Sequence, residues 1–138
     1  VLFIDNMRDP NKPCLFCNIK KSGSTNENEL AYVSNDSYPV TDQHCLIIPK
    51  RHVESYFDLT EEEIIACNKL IKKIKKEIEN KDKNVKGFNV GTNSGKVAGQ
   101  SIMHCHIHLI PRRKGDVDNP QGGVRSVIPL KQHYNRKV

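Results

Sequence analysis

A chain of 138 residues is long enough for one domain with its own core and too short for two independent ones. With 36% hydrophobic and 28% charged residues it suits a globular protein in water, and no apolar run approaches the roughly 20 residues of a membrane-spanning helix. The formal charge of +6 favours anionic partners such as nucleotides, phosphates or nucleic acid, although a solvated lysine face explains it equally well.

The opening "VLFIDNMRDPNKPC" lacks the basic start, long apolar centre and small-residue cleavage site of a secretory signal peptide. It reads as loop as far as Lys21, broken by Pro10 and Pro13, and carries a C-x-x-C at Cys14 and Cys17. Five cysteines cannot form a closed disulfide framework. Cys45, Cys67 and Cys105 each sit among apolar neighbours, as small buried hydrophobes do in a reducing, cytoplasmic setting. "SGSTNEN" is a polar turn, "ELAYVS" a strand, "NDSYPVTDQ" a loop, and "HCLIIP", from His44 to Pro49, a buried strand ended by proline.

A long helix opens at Thr60, where "TEEE" forms a capping box with Glu63. Ile64, Cys67, Ile71, Ile74 and Ile78 recur at spacings of three and four as one apolar stripe. Acidic residues in the first turn and lysines later suit the helix dipole, so the Lys72–Lys76 cluster reads as the helix's outer face, with nucleic-acid contact the weaker reading. "GFNVGTNSG" is a strand around Phe88 to Val90 followed by a glycine-rich turn, and "SIMHCHIHLIP" is the next strand, closed by Pro111. The tail is rich in turn residues, with one short apolar piece at Val127 and Ile128. The pattern predicts an α+β fold: a mainly antiparallel sheet of about five strands with one long amphipathic helix. It predicts a single domain over residues 1–138, with a core at about 13–112 and a tail at 113–138.

"MHCHIHLI" spends three of six histidines in five positions. On a strand, His104, His106 and His108 share one face while Cys105, Ile107 and Leu109 share the other, apolar one. Aligned imidazoles suit two chemistries. They can ligate a metal, or one ring can act as nucleophile while its neighbours fix its tautomer. Phosphorus chemistry favours the second, because an unprotonated imidazole attacks phosphorus and "GQS" and "GTNSG" nearby offer donors for phosphate oxygens. Its ordinary pKa of about 6.5 leaves enough of that form at neutral pH.

"GQSIMHCHIHLI" resembles the signature of the histidine triad (HIT) superfamily, H-φ-H-φ-H-φ-φ with φ hydrophobic, here H-C-H-I-H-L-I. "DSYPVTDQHCLIIPKRHVESYFDLT" and "CLFCNI" are similar to segments upstream of it in that family. "PRRKGDVDNPQGGVR" resembles the tail of bacterial members that hydrolyse diadenosine polyphosphates. The resemblance implies that His106 attacks an α-phosphorus to form a nucleotidyl-histidine, with His108 and His44 completing its cluster. It implies phosphate contacts from Asn93, Gln100 and Ser101, ribose contacts from Asp36, and a base pocket at Leu15 and Phe16. It further implies a homodimer that releases a nucleoside monophosphate from phosphoramidates or dinucleoside polyphosphates. Transferase branches end the signature with Gln where this chain has Ile110, which favours hydrolysis over phosphorolysis.

The C-x-x-C alone is weak: redox-active, metal-binding or incidental. Two nitrogen ligands would complete a tetrahedral zinc site, with His44, His52, His104, His106, His108 and His133 as candidates. Zinc-bearing branches of the superfamily are similar in their N-terminal C-x-x-C, and the similarity implies a structural zinc on Cys14, Cys17, His52 and His104. Two other readings compete: a hydrolase whose zinc is itself the Lewis acid, and a non-catalytic, basic nucleotide-binding module. The latter lacks a clear aromatic stacking surface, since the chain has no Trp and few, scattered Tyr and Phe.

Overall fold

The computed structural model describes residues 14–18, without the Asn18 side chain, and 26–137; Pro10, Pro13 and most of the expected "SGSTNEN" turn lie outside the described residues. One helical turn, α1 (Leu15–Asn18), stands where the sequence suggested loop. The strands are β1 (Ala31–Asn35), β2 (Cys45–Pro49), β3 (Val85–Gly91) and β4 (Ile107–Arg113), with the long helix α2 (Glu61–Lys81) between β2 and β3. They form one sheet in the order β1-β2-β4-β3 with every pair antiparallel, so the α+β expectation holds with four strands among the described residues.

α2 starts as the sequence predicts. The Thr60 hydroxyl accepts from the Glu63 amide at 3.1 Å, and the Glu63 carboxylate accepts from the Thr60 amide at 2.9 Å. Its buried apolar face is rotated from the expected stripe. Ala66, Cys67, Leu70, Ile74 and Ile78 are buried, whereas Ile64 is 40% exposed and Ile71 only partly covered. At 3.6 residues per turn both rows satisfy the spacing rule; the sheet's position selects the row through Leu70, and Ile64 and Ile71 flank it toward β3.

Alternation on the strands separates the two faces of the sheet. Ala31, Val33, Cys45, Ile47, Ile107 and Leu109 pack beneath α2 in the main core. Tyr32, Leu46 and Ile48 point the other way and, with Phe16 of α1, make a second core. His108 lies on that second side. The expected histidine strand is shorter than its motif: residues 101–106 are irregular and β4 begins only at Ile107. Nor does Pro111 close it, since β4 continues to Arg113 paired with β3. The β2 register stops at Cys45↔Leu109, so Pro111 sits where β4 has a sheet neighbour on one side only.

Candidate active site and metal site

β2 and β4 bring His44 and His108 together because Leu46 pairs with His108, and the residue before β2 therefore lies beside it. Gln43 holds φ at 72°, a left-handed conformation that turns the chain sharply into His44. His44 and His106 are buried and His108 is about three-quarters buried, so the three rings do not form an open face; His44 and His108 line a cavity.

The hydrogen bonds fix where each proton sits. The Val40 amide donates to His44 Nδ1 at 3.1 Å, so His44 carries its own proton on Nε2. That Nε2–H donates to His108 Nδ1 at 2.9 Å, which leaves His108 with its proton on Nε2. His106 Nδ1 lies 2.8 Å from the His104 carbonyl and must donate to it. The lone pair of His106 is therefore on Nε2. Burial lowers the pKa of both His44 and His106, and it pushes His108 down to about 4, helped by the neighbouring His106 and His44. The cluster is neutral at pH 7, as a nucleophile requires.

The other expected site residues fall into two groups. Asn93 lines the same cavity as His44 and His108, and Leu15, on α1, is 45% exposed. Ser101 is half-buried just before the triad. Phe16 packs its edge on the His106 ring, centroids 5.0 Å apart, and so covers that ring from one side. Gln100, expected as a phosphate contact, has its side-chain amide bonded within the protein. It is buried, its amide donates to the Glu54 and Ile102 carbonyls at 2.7 and 3.1 Å, and its oxygen accepts from the Gly95 amide at 2.8 Å. It shapes the glycine-rich loop from behind. Asp36 is likewise engaged: Oδ1 accepts from the Tyr38 amide at 2.8 Å, while Oδ2 lies 3.3 Å from His44 Nε2 and 3.7 Å from His108 Nδ1.

Sequence reasoning missed several supports. Thr92 donates to the His106 carbonyl at 2.7 Å, and Thr41 to the Pro111 carbonyl at 2.8 Å. Arg51 pairs with both oxygens of Glu63 at 2.8 and 2.9 Å, which anchors the turn carrying His52 to the cap of α2. Only the capping box was readable, because the Arg51 contact joins two elements. In the loop beside Asn93, Ser94 Oγ is buried with no hydrogen-bond partner among the described residues.

Cys14, Cys17, His52 and His104 converge, with ligand atoms all within 4.8 Å of one another. Both sulfurs lie 3.5 Å from His104 Nδ1, and Cys17 Sγ lies 3.3 Å from His52 Nδ1. Tetrahedral zinc at ordinary Zn–S and Zn–N lengths needs ligand–ligand edges of roughly 3.3–3.8 Å. His104, fully buried, donates Nε2–H to the Pro49 carbonyl at 2.8 Å, the outer bond that presents Nδ1 as a ligand. Burial and the adjacent Cys14 push the Cys17 thiol up to about 11, so Cys17 needs a cation to be held as a thiolate. The donor set fits zinc.

Asp36, His44 and His108 form a second convergent set, also within 4.8 Å. Here the fit fails: the Val40 amide occupies His44 Nδ1, so an ion on Nε2 would require a ring with no proton at all.

Comparison with known proteins gives the same picture from outside. The HIT domain family matches residues 20–115. A HIT family protein from Bacillus anthracis superimposes with a TM-score of 0.69 at 35% identity, covering 76% of this chain and 77% of that one. A zinc-bound histidine triad family protein from Mycobacterium smegmatis gives 0.67 at 32% identity, covering 75% and 77%. Adenosine 5'-monophosphoramidase HNT1 from Saccharomyces cerevisiae is 34% identical over 104 residues, 72% of this chain and 63% of that protein. With the H-x-H-x-H run leading into β4 of an antiparallel sheet, four-stranded among the described residues, and a family match over most of its length, this chain belongs to the histidine triad (HIT) family.

Proposed function

We propose that the protein is a nucleotide hydrolase that cleaves at the α-phosphate of nucleoside phosphoramidates or dinucleoside polyphosphates and releases a nucleoside monophosphate. The observation that carries this reading is the His106 Nδ1–H bond to the His104 carbonyl, which leaves a neutral Nε2 lone pair on a buried ring. His106 attacks phosphorus to form a nucleotidyl-histidine, and water resolves it. His108 lines the cavity with its Nε2–H set by His44, suited to a phosphate oxygen or the leaving group. Asn93 and Ser101 serve as phosphate contacts, Leu15 and Phe16 as base contacts, and Asp36 as a ribose contact once it leaves His44. Gln100 holds the loop that presents them. Related adenosine 5'-monophosphoramidases and Ile110 at the end of the signature support hydrolysis.

Cys14, Cys17, His52 and His104 are the residues that would hold a structural zinc, which cross-links α1 to the segment before β4. The exposed sheet edge at β3, with Val90, Ile64 and Ile65 exposed around it, suits a homodimer. The cysteine usage suits the cytoplasm. Among the described residues no helix is long and apolar enough to cross a membrane. The domain reading stays one unit, core about 13–112 and tail 113–138.

The test is nucleotide release from adenosine phosphoramidate and diadenosine polyphosphate. His106→Ala is expected to lose at least about 1,000-fold in turnover while keeping its fold. Wild-type turnover in that variant would refute the assignment. Turnover that vanished with chelator while the fold persisted would favour the competing reading in which zinc is itself the Lewis acid.

A further inference from the structure

Asp36 directly follows β1, and the Tyr38 amide holds its Oδ1 in the loop at 2.8 Å. Its other oxygen reaches the histidine pair: Oδ2 lies 3.3 Å from His44 Nε2 and 3.7 Å from His108 Nδ1. His44 has a single proton to give there, because its Nδ1 accepts from the Val40 amide. The same proton makes the 2.9 Å bond to His108 Nδ1. One N–H therefore faces two acceptors, a neutral ring nitrogen and a carboxylate, and the charged acceptor makes the stronger hydrogen bond. The negative charge also opposes the burial that keeps His44 and His108 neutral.

Little holds Asp36 against a better donor. Its side chain is 15% exposed, and it borders a second cavity of about 450 Å³ together with Asn35, Pro39 and Gln43. Its ion-pair partners among the described residues are the two imidazoles. A ribose cis-diol brings two O–H donors to a carboxylate, whereas His44 brings a share of one N–H. We infer that Asp36 is a positioning residue through which the ribose sets the turnover rate: without a cis-diol its carboxylate draws on the His44 proton, and a bound cis-diol draws the carboxylate away. The His44 N–H then goes wholly to His108, which fixes that ring with Nε2–H toward the phosphate. The inference rests on His106 being the nucleophile, and it adds to the ribose contact a second consequence. A group that only holds ribose contributes equally to ground and transition states and shows in KM, whereas one that acts through His44 and His108 shows in kcat.

The test measures kcat and KM separately for adenosine 5'-phosphoramidate and its 2',3'-dideoxy analogue. In the wild type, loss of the diol is expected to lower kcat by about ten-fold or more, beyond any rise in KM. In Asp36→Ala no carboxylate competes for the proton, and the two substrates are expected to share one kcat within about two-fold. Asp36→Asn keeps an oxygen for the Tyr38 amide, so the loop turn survives, and its kcat ratio is expected to fall in the same direction. A wild-type diol effect confined to KM, or a kcat ratio that persists in both variants, overturns the inference and leaves the nucleophile standing. Turnover of neither substrate by the wild type overturns both.

Discussion

The histidine face of the sheet is covered twice, by residues 14–18 on the β1–β2 side and by residues 117–132 on the β3–β4 side, and the two covers are held by different forces. The first is too short to hold itself: one helical turn whose contacts are Phe16 in a small core and two thiols facing His52 and His104. The second closes on itself. Gln132 donates to the Asn119 and Gln121 carbonyls, His133 donates to Asn119 at 2.9 Å, and Arg125 stacks over Tyr134 at 4.4 Å. The proposed zinc would pin the first cover over the proposed nucleophile; the second is held by its own hydrogen bonds and a cation–π contact.

The largest expected effect breaks the first cover. Removing metal with a chelator, or replacing Cys17 with Ser, is expected to cost at least about 3 kcal/mol in urea unfolding. Hydrogen exchange is expected to rise first in residues 14–18 and around His52. Equal stability with and without chelator would remove zinc from the account. Gly122→Ala breaks the second cover next. Gly122 holds φ at 78°, and a Cβ there would run into the Gln132 carbonyl. The expected cost is about 1–3 kcal/mol, read as faster amide exchange confined to residues 117–133.

Glu63→Gln sharpens the comparison, because Glu63 anchors the Arg51 turn that offers His52 to the first cover. Its Arg51 partner and the Thr60 contacts hold the Glu63 carboxyl down to about 2. A depressed carboxylate stabilises the fold above its unfolded pKa, and that stabilisation is lost as pH falls from about 4.5 toward 2. With Arg51 half-exposed, the variant is expected to lose about 1–2 kcal/mol at pH 7, and the gap to wild type should close near pH 2. Smallest is Val127→Ser, 73% exposed: a change below about 0.5 kcal/mol in urea unfolding.

Local rules were legible in the sequence, and pairings across the fold were not. Thr60 and Glu63 are three residues apart, so their mutual capping needs no knowledge of the tertiary structure. The alternation of His104 to Leu109 predicted which side chains share a face, and that survives even though only the end of the run is strand. Extent failed because a proline and an irregular turn carry the same alternation as a regular strand. The α2 stripe held at Cys67, Ile74 and Ile78 and missed at its edge, because Ile64 and Leu70 are equally apolar and only the sheet distinguishes them. Gln100 and Asp36 are polar residues at family positions, and their side chains turn to Glu54 and His44, partners from other elements. His133, one of the candidate zinc ligands in the sequence, instead fastens the second cover through the Asn119 carbonyl.

The central claim is that His106 Nε2 becomes covalently nucleotidylated. Zinc-loaded protein would be mixed with adenosine 5'-phosphoramidate for less than one turnover and denatured in base, where the phosphohistidine bond survives. Peptide mass analysis is then expected to find one AMP on the peptide containing His106, absent from His106→Ala. Product release at the wild-type rate with no adduct at any time, or an adduct on another residue, would contradict the account.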